Sequence, residues 1–154
     1  MGTRSMHIFP SDNKGKFICQ YLQFDGYPEH QLAVIIKDIN RSCLKFYYKD
    51  KINKDVFYDF IRSYYKFRSF ETHHSINNST EVESYNAKDF KESWCEWSYE
   101  WIEENENIFL QVTRLYDLNC IKIKLHTILE LILNHHVKLD DFLEAELKVF
   151  EEQE

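Results

Sequence analysis

The chain has 154 residues and a mass of 18.8 kDa, is 44% hydrophobic and 16% aromatic, and so has the size and core material of one domain; a chain disordered throughout is excluded. Its formal charge of 19 minus 26, or −7, argues against a nucleic-acid binder that works by neutralising phosphates. The charge is uneven: nine Lys or Arg stand against four acids between Lys37 and Arg68, and seven acids against two lysines from Lys138 to Glu154, which predicts one basic and one acidic surface.

In chain order, Thr3 to Phe9 and Lys16 to Phe24 are alternating, β-branched or aromatic, with turn formers from Pro10 to Gly15 between them, which predicts a β-hairpin. Asp25-Gly26-Tyr27-Pro28 follows and holds one of three glycines and one of two prolines. Gly permits positive φ and Pro fixes φ, so this step is a sharp corner. After Pro28, Leu32, Ile35, Ile36 and Ile39 recur at helical spacing, with Pro suited to a first helical position. Leu44, Phe46 and Tyr48 alternate with Lys45 and Tyr47, which predicts a short strand over Ser42 to Tyr48. Asn53 is placed to cap a second helix with Val56, Phe57, Phe60, Ile61, Tyr64 and Phe67 on one face, ending near Arg68. The stretch from Glu71 to Lys91 turns polar and reads as a long loop.

Farther on, Cys95, Trp97, Tyr99 and Trp101 fall on one face of a strand and Glu96, Ser98 and Glu100 on the other; Ile108, Leu110 and Val112 continue the pattern across a loop at Glu103 to Asn107. Ile121, Ile123 and Leu125 mark a fifth strand, leading into Thr127-Ile128-Leu129-Glu130, a capping-box pattern, and a helix to about Asn134. Leu139, Phe142, Leu143, Leu147 and Phe150 form the stripe of a last helix, from about Leu139 to Glu152. Strands in hairpins rather than alternating singly with helices predict an α+β fold. The expectation is one domain over 1–154, with an antiparallel sheet of four or five strands, helices on one face and a polar loop at 71–91.

The corner is the first candidate site. A strand-to-helix turn exposes amides that suit an anion, and Asp25, Gly26, Tyr27 and Glu29, with Arg4 on the neighbouring strand as a clamp, would form a ligand-binding set. The competing reading makes Asp25 and Glu29 the helix's own caps. With its flanks, the N-terminal part resembles a group of small, mostly uncharacterised proteins of phages, prophages and some bacteria: Met1-Gly2-Thr3-Arg4-Ser5, a strand, a polar turn, a second strand, and Phe24-Asp25-Gly26-Tyr27-Pro28-Glu29. The likeness covers about the first 30 residues, with a looser echo at Trp94 to Val112; where the group usually has another glycine, this chain has His30-Gln31-Leu32. It implies a viral or mobile-element accessory protein and supplies no catalytic residues.

No reaction signature stands out. His73-His74 and His135-His136 lack the i, i+4 spacing of a helical metal site, so no metal site is expected. Four cysteines without a CxxC pair read as buried thiols in a reducing cytosol, and nothing at the N-terminus has a signal-peptide layout. The glycines cannot form a phosphate loop or dinucleotide motif, so no cofactor is expected. No apolar run reaches the about 18 residues that cross a bilayer. The cations and aromatics of Lys45 to Lys51, with Arg62, Tyr64, Tyr65, Lys66 and Arg68, could stack and pair with a single strand. Glu96, Glu100, Glu103 and Glu104 make an acidic edge suited to a basic protein. The leading expectation is a cytoplasmic, phage-related accessory protein that binds, inhibits or sequesters a host defence factor. The alternatives are a small enzyme or nucleotide-binding module at the corner, taking a small anionic ligand, and a single-stranded nucleic-acid binder.

Overall fold

The computed structural model describes residues 3–22, 25–40, 43–71, 79–134 and 138–151. In chain order it comprises β1 (Ser5–Pro10), β2 (Phe17–Leu22), α1 (Pro28–Asn40), α2 (Cys43–Phe46), β3 (Tyr47–Tyr48), β4 (Lys51–Ile52), α3 (Lys54–Glu71), β5 (Ser79–Val82), a 3-10 helix (Ala87–Ser93), β6 (Trp97–Glu104), β7 (Asn107–Arg114), β8 (Asn119–Lys124), α4 (Leu125–Leu133) and α5 (Leu139–Glu151). The main sheet runs β5-β2-β1-β6-β7-β8 and is antiparallel except where β1 meets β6 in parallel. β3 and β4 form a separate small ribbon.

The architecture is α+β, and the alternation in β6, β7 and β8 explains why. Tyr99, Trp101, Leu110, Val112, Ile121 and Ile123 all face one side and meet the apolar stripes of α1, α3, α4 and α5 in one core. The opposite side is covered more thinly: Met6, Ile8 and Cys19 pack with Phe90, Cys95 and Leu115, flanked by Tyr85 and Ala87. The β6–β7 hairpin closes on Asn105 and Glu106, both at positive φ (51° and 67°), the geometry that a two-residue loop demands.

Several expectations need correction. The sheet has six strands, because β5 lies inside the stretch read as a polar loop. It is an edge strand with three of its four residues exposed; it joins β2 through its backbone, so it carries no apolar alternation. Glu81 pins it to the first turn, accepting from the Ser11 hydroxyl and from Asn13 Nδ2 at 2.8 Å. The strand expected over Ser42 to Tyr48 is instead the short helix α2 followed by β3. Phe46 turns inward there and packs edge-on against Phe57, with ring centroids 5.0 Å apart.

Asn53 does cap α3, its Oδ1 accepting from Val56 N–H at 3.2 Å. Thr127 does not cap α4, which begins at Leu125 straight out of β8, with extended Lys124 as its N-cap and no side-chain cap bond. Cys95 belongs to the cluster opposite Tyr99 and Trp101, since regular strand starts only at Trp97 and Trp94 just before it has φ 64°. The side chains of Cys43, Phe67 and Arg68 lie outside the described residues.

Candidate functional site

The Asp25–Pro28 corner is built inward. Gly26 N–H donates to the Thr3 carbonyl at 2.9 Å, the Gly26 carbonyl accepts from the Tyr99 hydroxyl at 2.6 Å, and the Asp25 carbonyl accepts from Gln31 Nε2 at 2.7 Å. The positive φ sits on Asp25, at 54°, and not on Gly26. Gly26 is needed for a different reason: a Cβ there would meet the Ser5 Cβ and Oγ at 2.8 Å. Asp25, Tyr27 and Glu29 are exposed. The Arg4 carbonyl accepts from Glu96 N–H at 2.9 Å, and the Arg4 charge acts on Tyr21 and Cys95. Among the described residues no ion pair joins Arg4 to Asp25.

Behind the corner lies a polar chain that sequence reasoning missed. His7 is 1% exposed; its Nδ1 lies 3.0 Å from the Tyr65 hydroxyl and its Nε2 3.2 Å from Ser5 Oγ, and its ring stacks on Tyr99 at 4.7 Å. These contacts tie α3 to β1, β6 and the corner. The signal was available: His7 shares the core-facing parity of Ser5 and Phe9. Tyr65, read as part of a basic aromatic surface, is buried and stacks on Phe9 at 4.7 Å. Arg62 is occupied by Asp59 and by the Pro10 carbonyl, the latter at 3.2 Å.

The four acids of the expected edge are dispersed. Glu96 is exposed. Glu100 is 7% exposed under the segment before β6 and accepts from the Tyr85 hydroxyl at 2.7 Å. Burial pushes its carboxyl above the usual range, the Tyr85 bond opposing. Glu103 accepts from Tyr58 at 2.6 Å and Lys54 at 3.3 Å, and Glu104 from Lys122 at 2.7 Å. Successive strand residues point to opposite faces, so Glu103 and Glu104 cannot share a surface.

Beside Glu100, a cavity of about 590 Å³ is lined by Cys19, Tyr85, Asp89 and Phe90 among others. Burial and the Glu100 charge push the Cys19 thiol up to about 11, and burial pushes Cys95 to about 11, so neither is a ready nucleophile at neutral pH. Among the described residues no cluster of His, Cys, Asp or Glu could hold a metal ion; His73, His74, His135 and His136 lie outside them. No helix among those residues is long and apolar enough to cross a membrane.

A second pocket lies where the start of β6, the end of β7 and the end of α5 converge. A pocket of about 570 Å³ there has aromatic walls of Trp94, Trp97, Tyr116 and Phe150, and Glu29, Glu96 and Glu151 also line it. Trp94 is 77% exposed and Tyr116 61%. Between them, Arg114 is 4% exposed and fully engaged: Nε and Nη2 donate to Asp117 at 3.2 and 2.6 Å, and Nη1 donates to the Phe150 carbonyl at 2.6 Å. The Tyr116 ring covers its guanidinium at 4.6 Å and the Phe150 ring at 5.4 Å. Arg114 in turn holds the Asp117 carboxyl below its usual range.

No family model, no curated protein and no solved structure matches this chain. Its own geometry is what marks the site. Of the candidate site residues read from the sequence, Glu29 and Glu96 line this pocket, beside Cys95, Trp97, Leu147 and Phe150 from the expected apolar faces. Its aromatic walls were not legible as a group, because Trp94 precedes β6, Tyr116 follows β7 and Phe150 lies on α5, and only the sheet order and the docking of α5 bring them together.

Proposed function

We propose that this chain acts by binding, as a small accessory protein that captures a partner protein at the pocket between Trp94 and Tyr116. The carrying observation is Trp94 itself: a large aromatic 77% exposed and held at φ 64°, a backbone state that costs a bulky residue about 1–3 kcal/mol. That backbone turn buries Cys95, but it leaves the Trp94 ring itself standing mostly in water. An exposed Trp and Tyr at the mouth of a pocket are the residues that interfaces use as anchors.

The N-terminal resemblance to small, mostly uncharacterised proteins of phages, prophages and some bacteria is what supports a host factor, one of defence, as the partner, with inhibition or sequestration in the host cytosol as the mode. The test is capture from bacterial lysate by the tagged chain and by a Trp94→Ala/Tyr116→Ala variant of equal melting temperature. The reading expects a discrete partner held by the first and lost by the second; equal recovery by both contradicts it.

A further inference from the structure

We infer that the pocket between Trp94 and Tyr116 is a subsite for an arginine side chain of a basic partner; this rests on the binding reading above and adds the chemistry of what enters.

The charge of the pocket favours a cation. Three carboxylates line the pocket, Glu29, Glu96 and Glu151, and among the described residues none of them is in an ion pair. Among the described residues the cation that lines it, Arg114, is paired with Asp117 and also donates to the Phe150 carbonyl. An entering cation therefore meets three unanswered negative charges, whereas a phosphate or carboxylate ligand would be repelled by the same three.

The shape of the pocket favours a flat one. The walls are flat aromatic faces, and a guanidinium is planar, weakly hydrated, stacks on such faces and forks onto carboxylates. The same corner of the molecule already holds one guanidinium in this manner, with Arg114 between the Tyr116 and Phe150 rings and forked onto Asp117. A lysine ammonium is a hydrated point charge that fits flat walls less well. A leucine would use the walls and leave the carboxylates without a role.

The experiment is a titration of the full chain with tri-arginine amide, tri-lysine amide, a leucine-containing neutral tripeptide and tri-glutamate, read by isothermal titration calorimetry. Tri-arginine is expected to give a saturable change that weakens with salt, disappears in Trp94→Ala, and loses about tenfold in affinity in Glu29→Gln/Glu96→Gln/Glu151→Gln, the sum expected of three exposed charges. Tri-lysine should bind more weakly and tri-glutamate not at all. Saturable binding of the leucine peptide, unaffected by the Gln substitutions, overturns the arginine assignment and leaves the binding reading standing. So does silence of all four peptides where lysate capture still depends on Trp94. Tri-arginine binding that survives Trp94→Ala also overturns it. If peptides and lysate capture are both indifferent to Trp94, the binding reading falls with it.

Discussion

Gly26 is pressed against Ser5: a Cβ on Gly26 would lie 2.8 Å from both the Cβ and the Oγ of Ser5, and 2.9 Å from the Thr3 carbonyl oxygen. The corner between the first hairpin and the first helix is therefore fixed by a close approach of two backbones. Gly26→Ala should cost about 1–3 kcal/mol by overpacking. Adding Ser5→Gly should recover only part of that, since the Thr3 contact persists. Urea denaturation of the two variants measures it, and a Gly26→Ala protein as stable as the parent would show that the approach has room for a methyl group.

The same corner is held from the other side by Tyr99, whose hydroxyl donates to the Gly26 carbonyl at 2.6 Å in a buried bond. Tyr99→Phe strands that carbonyl and should cost about 1–2 kcal/mol. A double-mutant cycle with Gly26→Ala should be non-additive, because the two changes act on one contact. Additive losses would separate the hydroxyl from the corner.

These contacts show which parts of the fold were legible. The core faces of β6, β7 and β8 and the stripe of α1 were visible because each packs one face against a core, and burial on one face writes a period into the sequence. β5 was invisible because an exposed edge strand needs only its backbone to pair. Asp25 rather than Gly26 takes the left-handed φ, since Gly26 is spent on proximity. Glu100 read as a surface acid by alternation alone, and it became buried because Tyr85 and the segment after it fold over that face.

Glu100 gives a dependence on pH whose direction follows from its surroundings. Its folded-state pKa is raised by burial, so the folded protein binds more protons than the unfolded chain, and this group's effect on stability turns unfavourable as pH rises above the ordinary carboxylate range. Glu100→Gln keeps an oxygen for the Tyr85 hydroxyl and removes the charge. The variant should melt higher than the parent at pH 7, with the difference shrinking toward pH 4. A gap that is constant across pH, or of opposite sign at pH 7, would contradict the burial of an ionisable carboxyl there.

Thiol reactivity should sort by burial. Cys120 is exposed, while Cys19 and Cys95 are buried with thiols pushed up to about 11. In the folded protein at pH 7.5, a maleimide should modify Cys120 well before Cys19 or Cys95, with denaturant needed to bring those two to the same rate. Peptide mass mapping reads the order. Early modification of Cys19 would mean that the cavity beside Glu100 opens readily to solvent.

If recognition happens where Trp94 and Tyr116 flank an acid-lined aromatic pocket, amide NMR of the full chain titrated with tri-arginine amide will locate it, since each residue reports on its own surroundings. The largest shifts should fall on Glu29, Trp94, Glu96, Tyr116 and Glu151 and saturate together; shifts gathered instead on Lys45 to Lys51 and Arg62, or spread evenly over the acidic surface, would contradict it.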